Sequence, residues 1–246
     1  MPTQWTLTLT PPPPSAVLPS HLHALACALL ESPAEDHTAQ TKPFTAALAG
    51  QRLTLGWLDE TSAPDMSARL SEPVRLGAHT SRAALVDQRF EAYTRLTAAP
   101  PTRKVTVSFV SPAYVNQGGR QLPLPVPELL LAGLARRWEA FSPHPLPGSA
   151  LTEALESAHL ARHDIRSAVT GAGSSRRTGF VGQAVFGLST RASRRAQRVF
   201  TTLWSFAAFA GVGAQTTHGL GHVRVRIEDE SLRGADPSPA AKAGLL

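Results

Sequence analysis

Residues 200–227 read FTTLWSFAAFAGVGAQTTHGLGHVRVRI. The first eleven carry aromatic and small apolar residues at helical spacing, and the last stretch alternates apolar with basic residues, the mark of a half-buried strand. Between them GVGAQTTHGLG, residues 211–221, sets Gly211, Gly213, Gly219 and Gly221 as two Gly-x-Gly pairs around Val212 and Leu220. Glycine admits positive φ and lets a backbone approach a ligand, and successive N–H groups in such a loop can cradle an anion. The same pattern also serves as a helix C-cap followed by a tight turn, and both readings stay open. Either way, the order helix, glycine loop, strand decides against a dinucleotide-binding fold, whose GxGxxG follows a strand and opens a helix, and the Walker lysine is missing.

Working outward, residues 190–210 read as one long helix. Arg191, Arg194, Arg195 and Arg198 fall at i, i+3, i+4 and i+7 and so share a face. Ala196, Val199, Leu203, Phe206, Ala207 and Ala210 form a mainly opposite stripe that can face a core. No Asp or Glu stands between Asp164 and Glu228, so local carboxylate relief for these arginines is absent. Upstream, the GSSRRTG turn carries Arg176 and Arg177 at the tip of a hairpin made by strands at 161–170 and 179–188. A basic face of this kind suits a polyanion, and it equally suits solvent.

The rest of the chain supplies the remaining elements. Strand patterns lie at 4–10, 43–48, 52–58 and 104–110, with weaker ones at 74–76 and 82–86. Helices are expected at 19–30, at 127–141 with Leu130, Leu131, Leu134 and Trp138 near one face, and at 151–159. Residues 112–127, rich in Gly and Pro, read as a loop. Each half then runs roughly strand, helix, two strands, weak helix, strand, which is the βαββαβ ferredoxin-like plan. The expected class is α+β, with two tandem ferredoxin-like (RRM-like) domains at 1–98 and 103–233 and a disordered tail at 234–246.

Composition narrows the functions. The 24 Lys+Arg exceed the 18 Asp+Glu by six, and only Lys42, Lys104 and Lys242 are lysines, so the surplus is arginine, whose flat donor fork matches phosphate. Nucleic acid is therefore a candidate partner. The single Cys27 excludes an intrachain disulfide framework and a cysteine zinc cluster, and its setting in LHALACALL reads as a buried inert thiol. No stretch nears the roughly 18 apolar residues of a membrane span, and the amino terminus lacks a signal-peptide pattern. A soluble cytoplasmic protein with no membrane partner is expected.

At this point the chain resembles a known family, the CRISPR-associated repeat-RNA endoribonucleases of the RAMP superfamily. GVGAQTTHGLG, with FTTLWSFAAFA before it, is similar to that family's carboxy-terminal glycine-rich loop and the helix leading into it. VSFVSPAYVNQGGRQLPLPVPELLLAGLARRWEAF, residues 107–141, resembles its central segment, and HTAQTKPFTAAL, residues 37–48, resembles the stretch where a histidine precedes a Lys-Pro-Phe strand entry. The resemblance implies two ferredoxin-like domains and metal-independent cleavage of precursor CRISPR RNA within each repeat. In that reaction the ribose 2′-hydroxyl attacks the phosphate, leaving a 2′,3′-cyclic phosphate and a 5′-hydroxyl. Where the family's glycine loop often has a basic residue, Ala214 and Gln215 stand here, leaving His218 or nearby arginines to compensate. Where some members use a tyrosine on the first helix, His21 and His23 stand instead.

The chemistry needs a base, an acid and a cation. Histidine suits the proton steps, and lysine or arginine suits the charged phosphorane. His37 by itself reads as a surface-loop histidine; the resemblance makes it catalytic, with Lys42, five residues on, as electrostatic support. Arg176, Arg177, Arg191, Arg194, Arg195 and Arg198, together with Gly211, Gly213, Gln215, Thr216, His218, Gly219 and Gly221, form the expected RNA-binding surface. Aromatics make up only 6% of residues and lie mostly in apolar runs, so backbone and shape recognition is favoured over base stacking. No metal site and no cofactor is expected. The expected partners are CRISPR repeat RNA and other CRISPR effector subunits, for a monomer or homodimer. A RAMP subunit that binds RNA without cutting is the alternative, and a small-molecule enzyme on the same fold the third reading.

Overall fold

A computed structural model of the chain describes residues 1–15, 17–31, 41–60 and 63–228. The tail expected at 234–246 and the candidate His37 lie outside the described residues.

The first sheet grows from β1 (Thr3–Thr10), whose alternation puts Trp5, Leu7 and Leu9 into the core. Helix α1 (Pro19–Leu30) lays Leu22, Leu25, Ala26, Leu29 and Leu30 against the same core. The hairpin of β2 (Phe44–Ala49) and β3 (Arg52–Trp57) turns at Gly50, φ +59°. After α2 (Met66–Arg69) and β4 (Val74–Leu76) comes β5 (His79–Phe90), giving the order β2-β3-β1-β5-β4. Only a short weak strand was expected at β5. Its second half is exposed, so no buried alternation marks it, and the ladder to β1 holds it instead.

A short helix, α3 (Tyr93–Thr97), leads into the second sheet, and its buried Tyr93 and Leu96 pack into the second core. That sheet comprises β6 (Lys104–Ala113), β9 (Ala158–Thr170), β10 (Arg177–Leu188) and β11 (Val223–Ile227), in the order β11-β6-β10-β9, all antiparallel. Between β6 and β9 lie the hairpin β7 (Val115–Gln117)–β8 (Arg120–Leu122), then α4 (Pro127–Phe141) and α5 (Gly148–Ser157). The hairpin replaces part of the loop expected at 112–127; its Gly118-Gly119 turn, both residues at positive φ, is the local signal that was passed over. Helix α6 (Arg194–Ala210) completes the unit. Both sheets thus have the ferredoxin-like strand order, β2-β3-β1-β5 and β9-β10-β6-β11, the first with β4 added at its edge.

Helix α6 starts later than the sequence pattern implied. Ser193 is its N-cap, accepting the N–H of Ala196, and Glu153 of α5 in turn accepts both the N–H (2.7 Å) and the hydroxyl (2.6 Å) of Ser193. Arg191 therefore sits in the preceding turn rather than on the helix face with Arg194, Arg195 and Arg198. Glu153 thus ties α5 to the start of α6 through Ser193.

The other end of α6 joins the two units. The last carbonyls of a helix have no partner within it, and here donors from elsewhere supply them. Gln4 Nε2 (3.0 Å) and Arg89 Nη2 (3.2 Å) donate to Ala208 O, Thr45 Oγ1 (3.1 Å) donates to Phe209 O, and Arg137 Nη1 donates to Ala210 O. The approach is close enough to need Gly56, where a Cβ would stand 2.6 Å from the carbonyl oxygen of Phe209.

Candidate functional site

The glycine-rich loop leaves α6 at this junction. Gly211, Gly213, Gly219 and Gly221 all have positive φ, and Gln215 is the one non-glycine residue there with φ in the left-handed region. Six of the loop's N–H groups are taken up within the fold. The N–H groups of Gly211, Val212, Ala214, His218, Leu220 and Gly221 donate to Ala207, Gly221, Tyr114, Gln215, Gln215 and Pro112 carbonyls. Gly211, Gly221 and Thr216 are buried, whereas Gly213, Gln215, His218 and Gly219 are half-buried. The glycines serve close packing: a Cβ on Gly219 would meet Leu22 of α1 at 2.7 Å, and one on Gly213 would strike the Tyr114 carbonyl. The loop also turns side chains outward.

Those side chains meet residues of the first unit in a cleft of about 290 Å³ lined by Thr41, Lys42, Arg137, Gln215, Thr216, Thr217 and His218. The His218 ring stacks on His23 of α1, with centroids 4.0 Å apart and planes 4° from parallel, and the Phe44 ring also stacks on His23, at 5.9 Å. Thr217 Oγ1 lies 2.8 Å from His218 Nδ1, and Cys27 Sγ lies 3.6 Å from His23 Nε2. His23 Nδ1 is buried with no hydrogen-bond partner among the described residues. Burial, with His23 beside it, pulls His218 down to about 4, so its imidazole is neutral near pH 7. Cys27 is half-buried rather than buried as expected, but burial and the nearby Glu31 push its thiol up to about 11, which leaves it inert at neutral pH.

Lys42 does not stand as a free cation. Its Nζ is 2.7 Å from Glu31 Oε1, with side-chain exposures of 10% and 3%, and Arg69 Nη2 donates to the Glu31 carbonyl at 3.1 Å. This ion pair fastens together the two residues that bracket the stretch containing His37.

Arg137 was missed from the sequence. Nη1 donates to Ala210 O and Thr216 Oγ1, and Nη2 donates to Phe44 O at 3.2 Å, so one guanidinium ties β2, the end of α6 and the glycine loop. Burial pulls its pKa down to about 10. The signal was present: in α4, Arg137 lies three residues after Leu134 and next to Trp138, an arginine beside the buried stripe rather than on the open face.

The expected basic surface divides in two. The 171–178 turn is close to the loop: the Tyr114 hydroxyl donates to Gln215 Oε1 at 2.9 Å and also contacts the Arg177 side chain. Arg177 is half-buried and Arg176 exposed. Arg194, Arg195 and Arg198, also exposed, occupy the opposite end of α6 from the loop, on the order of 20–25 Å away at 1.5 Å per residue. Arg191 lies at that far end too. Among the described residues, no three His, Cys, Asp or Glu side chains stand together in a way that could hold a metal ion, and no helix is long and apolar enough to cross a membrane.

Comparison with known proteins gives a consistent result. The family described as CRISPR-associated endoribonuclease Cas6 matches residues 107–223. The CRISPR-associated endoribonuclease Cas6 of Mycobacterium tuberculosis is 30% identical over 237 residues, covering 86% of this chain and 72% of that protein. A solved Cas6 product complex superposes with a TM-score of 0.79 at 27% identity, over 92% of this chain and 100% of that one. Thermus thermophilus Cas6 does so with a TM-score of 0.69 at 26% identity, over 92% and 97%.

Proposed function

The chain belongs to the CRISPR-associated endoribonuclease Cas6 family, and from that premise we propose that it cuts precursor CRISPR RNA within its repeats, by metal-independent attack of the 2′-hydroxyl on the adjacent phosphate. The products are a 2′,3′-cyclic phosphate and a 5′-hydroxyl. His37 moves a proton in this reaction. Lys42 gives electrostatic support, with its charge partly offset by the ion pair to Glu31. The observation that carries the reading is the cleft itself: the strand entry at Thr41 and Lys42 meets the polar side chains of the glycine loop across a junction of two ferredoxin-like units.

The units are assigned to 1–98 and 103–233, with α3 packing against the second. RNA is held by the loop residues Gln215, Thr216 and His218 with Arg177, and the phosphate backbone is held further out by Arg176, Arg191, Arg194, Arg195 and Arg198. The protein works in the cytoplasm, as a monomer or homodimer, alongside other CRISPR effector subunits.

The test is incubation of the pure protein with its repeat RNA in EDTA. Discrete cuts with cyclic-phosphate ends are expected, and His37→Ala is expected to lose them. Cleavage by His37→Ala at the wild-type rate overturns the role given to His37. RNA that stays bound and uncut by the wild type overturns the nuclease reading and leaves a binding subunit.

A further inference from the structure

We propose that Arg137 is the cation that holds the scissile phosphodiester, a role that rests on the nuclease reading above. Three observations converge on it. First, its three hydrogen bonds go to two carbonyls and a hydroxyl, all neutral, and among the described residues no carboxylate lies within ion-pair distance. A cation drawn out of water without a countercharge is costly, and an anion entering the cleft relieves that cost.

Second, the bonds use both protons of Nη1 and one of Nη2. Of the five guanidinium donors, the Nε–H and the second Nη2–H have no partner among the described residues, and Arg137 lines the cleft. The fork is thereby locked in place by protein on one side and keeps two donors for a ligand. Fixed donors of this kind match two phosphate oxygens and need no rearrangement as charge builds on them.

Third, the other basic groups at this point are offset or absent. Lys42 is paired with Glu31, and the centre of the glycine loop carries Ala214 and Gln215. His218 is neutral near pH 7. The remaining lining, Thr216 and Thr217 hydroxyls, is polar and uncharged. The cleft thus offers one unneutralised positive charge in a polar pocket, which is the chemistry of a phosphate site.

The experiment has two arms. In the first, single-turnover cleavage of repeat RNA is measured with protein in excess for wild type, Arg137→Gln and Arg137→Lys, each checked by thermal melting. Loss of one fixed donor to a developing oxyanion lowers rates by about 100- to 1000-fold. A drop of that size is expected for Arg137→Gln, with partial recovery in Arg137→Lys and RNA affinity within threefold of wild type (roughly, since one of several phosphate contacts is lost). Arg137→Gln that melts like wild type and cuts at a similar rate overturns the proposal. In the second arm, wild-type protein labelled with ¹⁵N is titrated with inorganic phosphate, and the Arg137 Nε–H resonance is followed. Its saturable shift is expected, and an unmoved resonance overturns the proposal even if the variants do not fold. Wild-type protein that leaves RNA intact while the resonance still shifts overturns the nuclease reading and keeps Arg137 as an anion site.

Discussion

The imidazoles of His23 and His218 lie face to face, 4.0 Å between centroids and 4° from parallel, one on the first helix and the other in the glycine-rich loop. This placement favours the neutral state of His218, since charging it costs its hydration and sets it against His23. His218 is held down to about 4 by burial and by His23, and burial with Arg89 and Arg224 nearby holds His222 at about 4 as well. Both titrate near 6.5 when unfolded. Between these values the unfolded chain takes up protons that the folded chain refuses. The stability they contribute is therefore complete above about pH 6.5 and lost as pH falls toward 4. The melting temperature is expected to decline across that window. His218→Phe keeps the stack without the titration and is expected to flatten the decline; an unchanged slope counts against the linkage.

The Glu31–Lys42 pair makes a second prediction. Glu31 has a side-chain exposure of only 3%, so Lys42→Met leaves a carboxylate with its cation removed. Breaking one side of a buried pair costs about 3–5 kcal/mol. Urea denaturation is expected to show a loss in that range for Lys42→Met and a smaller one for the double variant Glu31→Gln, Lys42→Met. Equal losses would show that the pair contributes no coupling.

Backbone geometry separates two glycines. At Gly221, φ +68°, an added Cβ would run into the Val212 carbonyl, whereas at Gly50, φ +59°, nothing lies within 4 Å. Gly50→Ala bears only the left-handed cost of about 1–2 kcal/mol. Gly221→Ala must also displace the backbone of its own loop. It is expected to lower the melting temperature further and to reduce cleavage, while Gly50→Ala leaves cleavage intact. The reverse ranking would mean that the loop tolerates re-forming.

The arginines at the start of α6 predict a binding effect without a chemical one. Replacing Arg194, Arg195 and Arg198 by Gln is expected to weaken repeat-RNA binding and to flatten the plot of log affinity against log salt by about 0.7 per lost phosphate contact. The cleavage rate at saturating protein is expected to stay near wild type, because these residues stand a helix length from the cleft. An unchanged salt slope would return them to the role of a solvated face.

Much of this architecture is legible in the amino-acid order, for identifiable reasons. WTLTLT in β1 announces itself because its apolar side chains face the core and its threonines are more open, and the hairpin that follows is marked by Gly50 at its turn. The later half of β5 is open to solvent, so its sequence carries no such imprint; its neighbour β1 decides its state. The glycine loop was placed correctly between helix and strand, but two of its N–H partners were not legible, because the carbonyls of Pro112 and Tyr114 lie about a hundred residues away, at and just beyond the end of β6. The stacked histidines come from opposite ends of the chain and share no local pattern. Arg137 was hidden within ARRW, where adjacent arginines look alike until the helix is packed and one turns outward and the other in.

Helix α6 has consequences for how the protein can be taken apart. Side chains of β1, β2, β5 and α4 saturate its final carbonyls, so severing the chain between the two sheets would strip three of the four suppliers from the carboxy-terminal fragment. Such a fragment would present a row of bare acceptors where its partner had been, a sticky end rather than a finished surface. Two fragments made separately should therefore seek each other out and reassemble, which makes the junction a natural place to split the protein and restore it on demand.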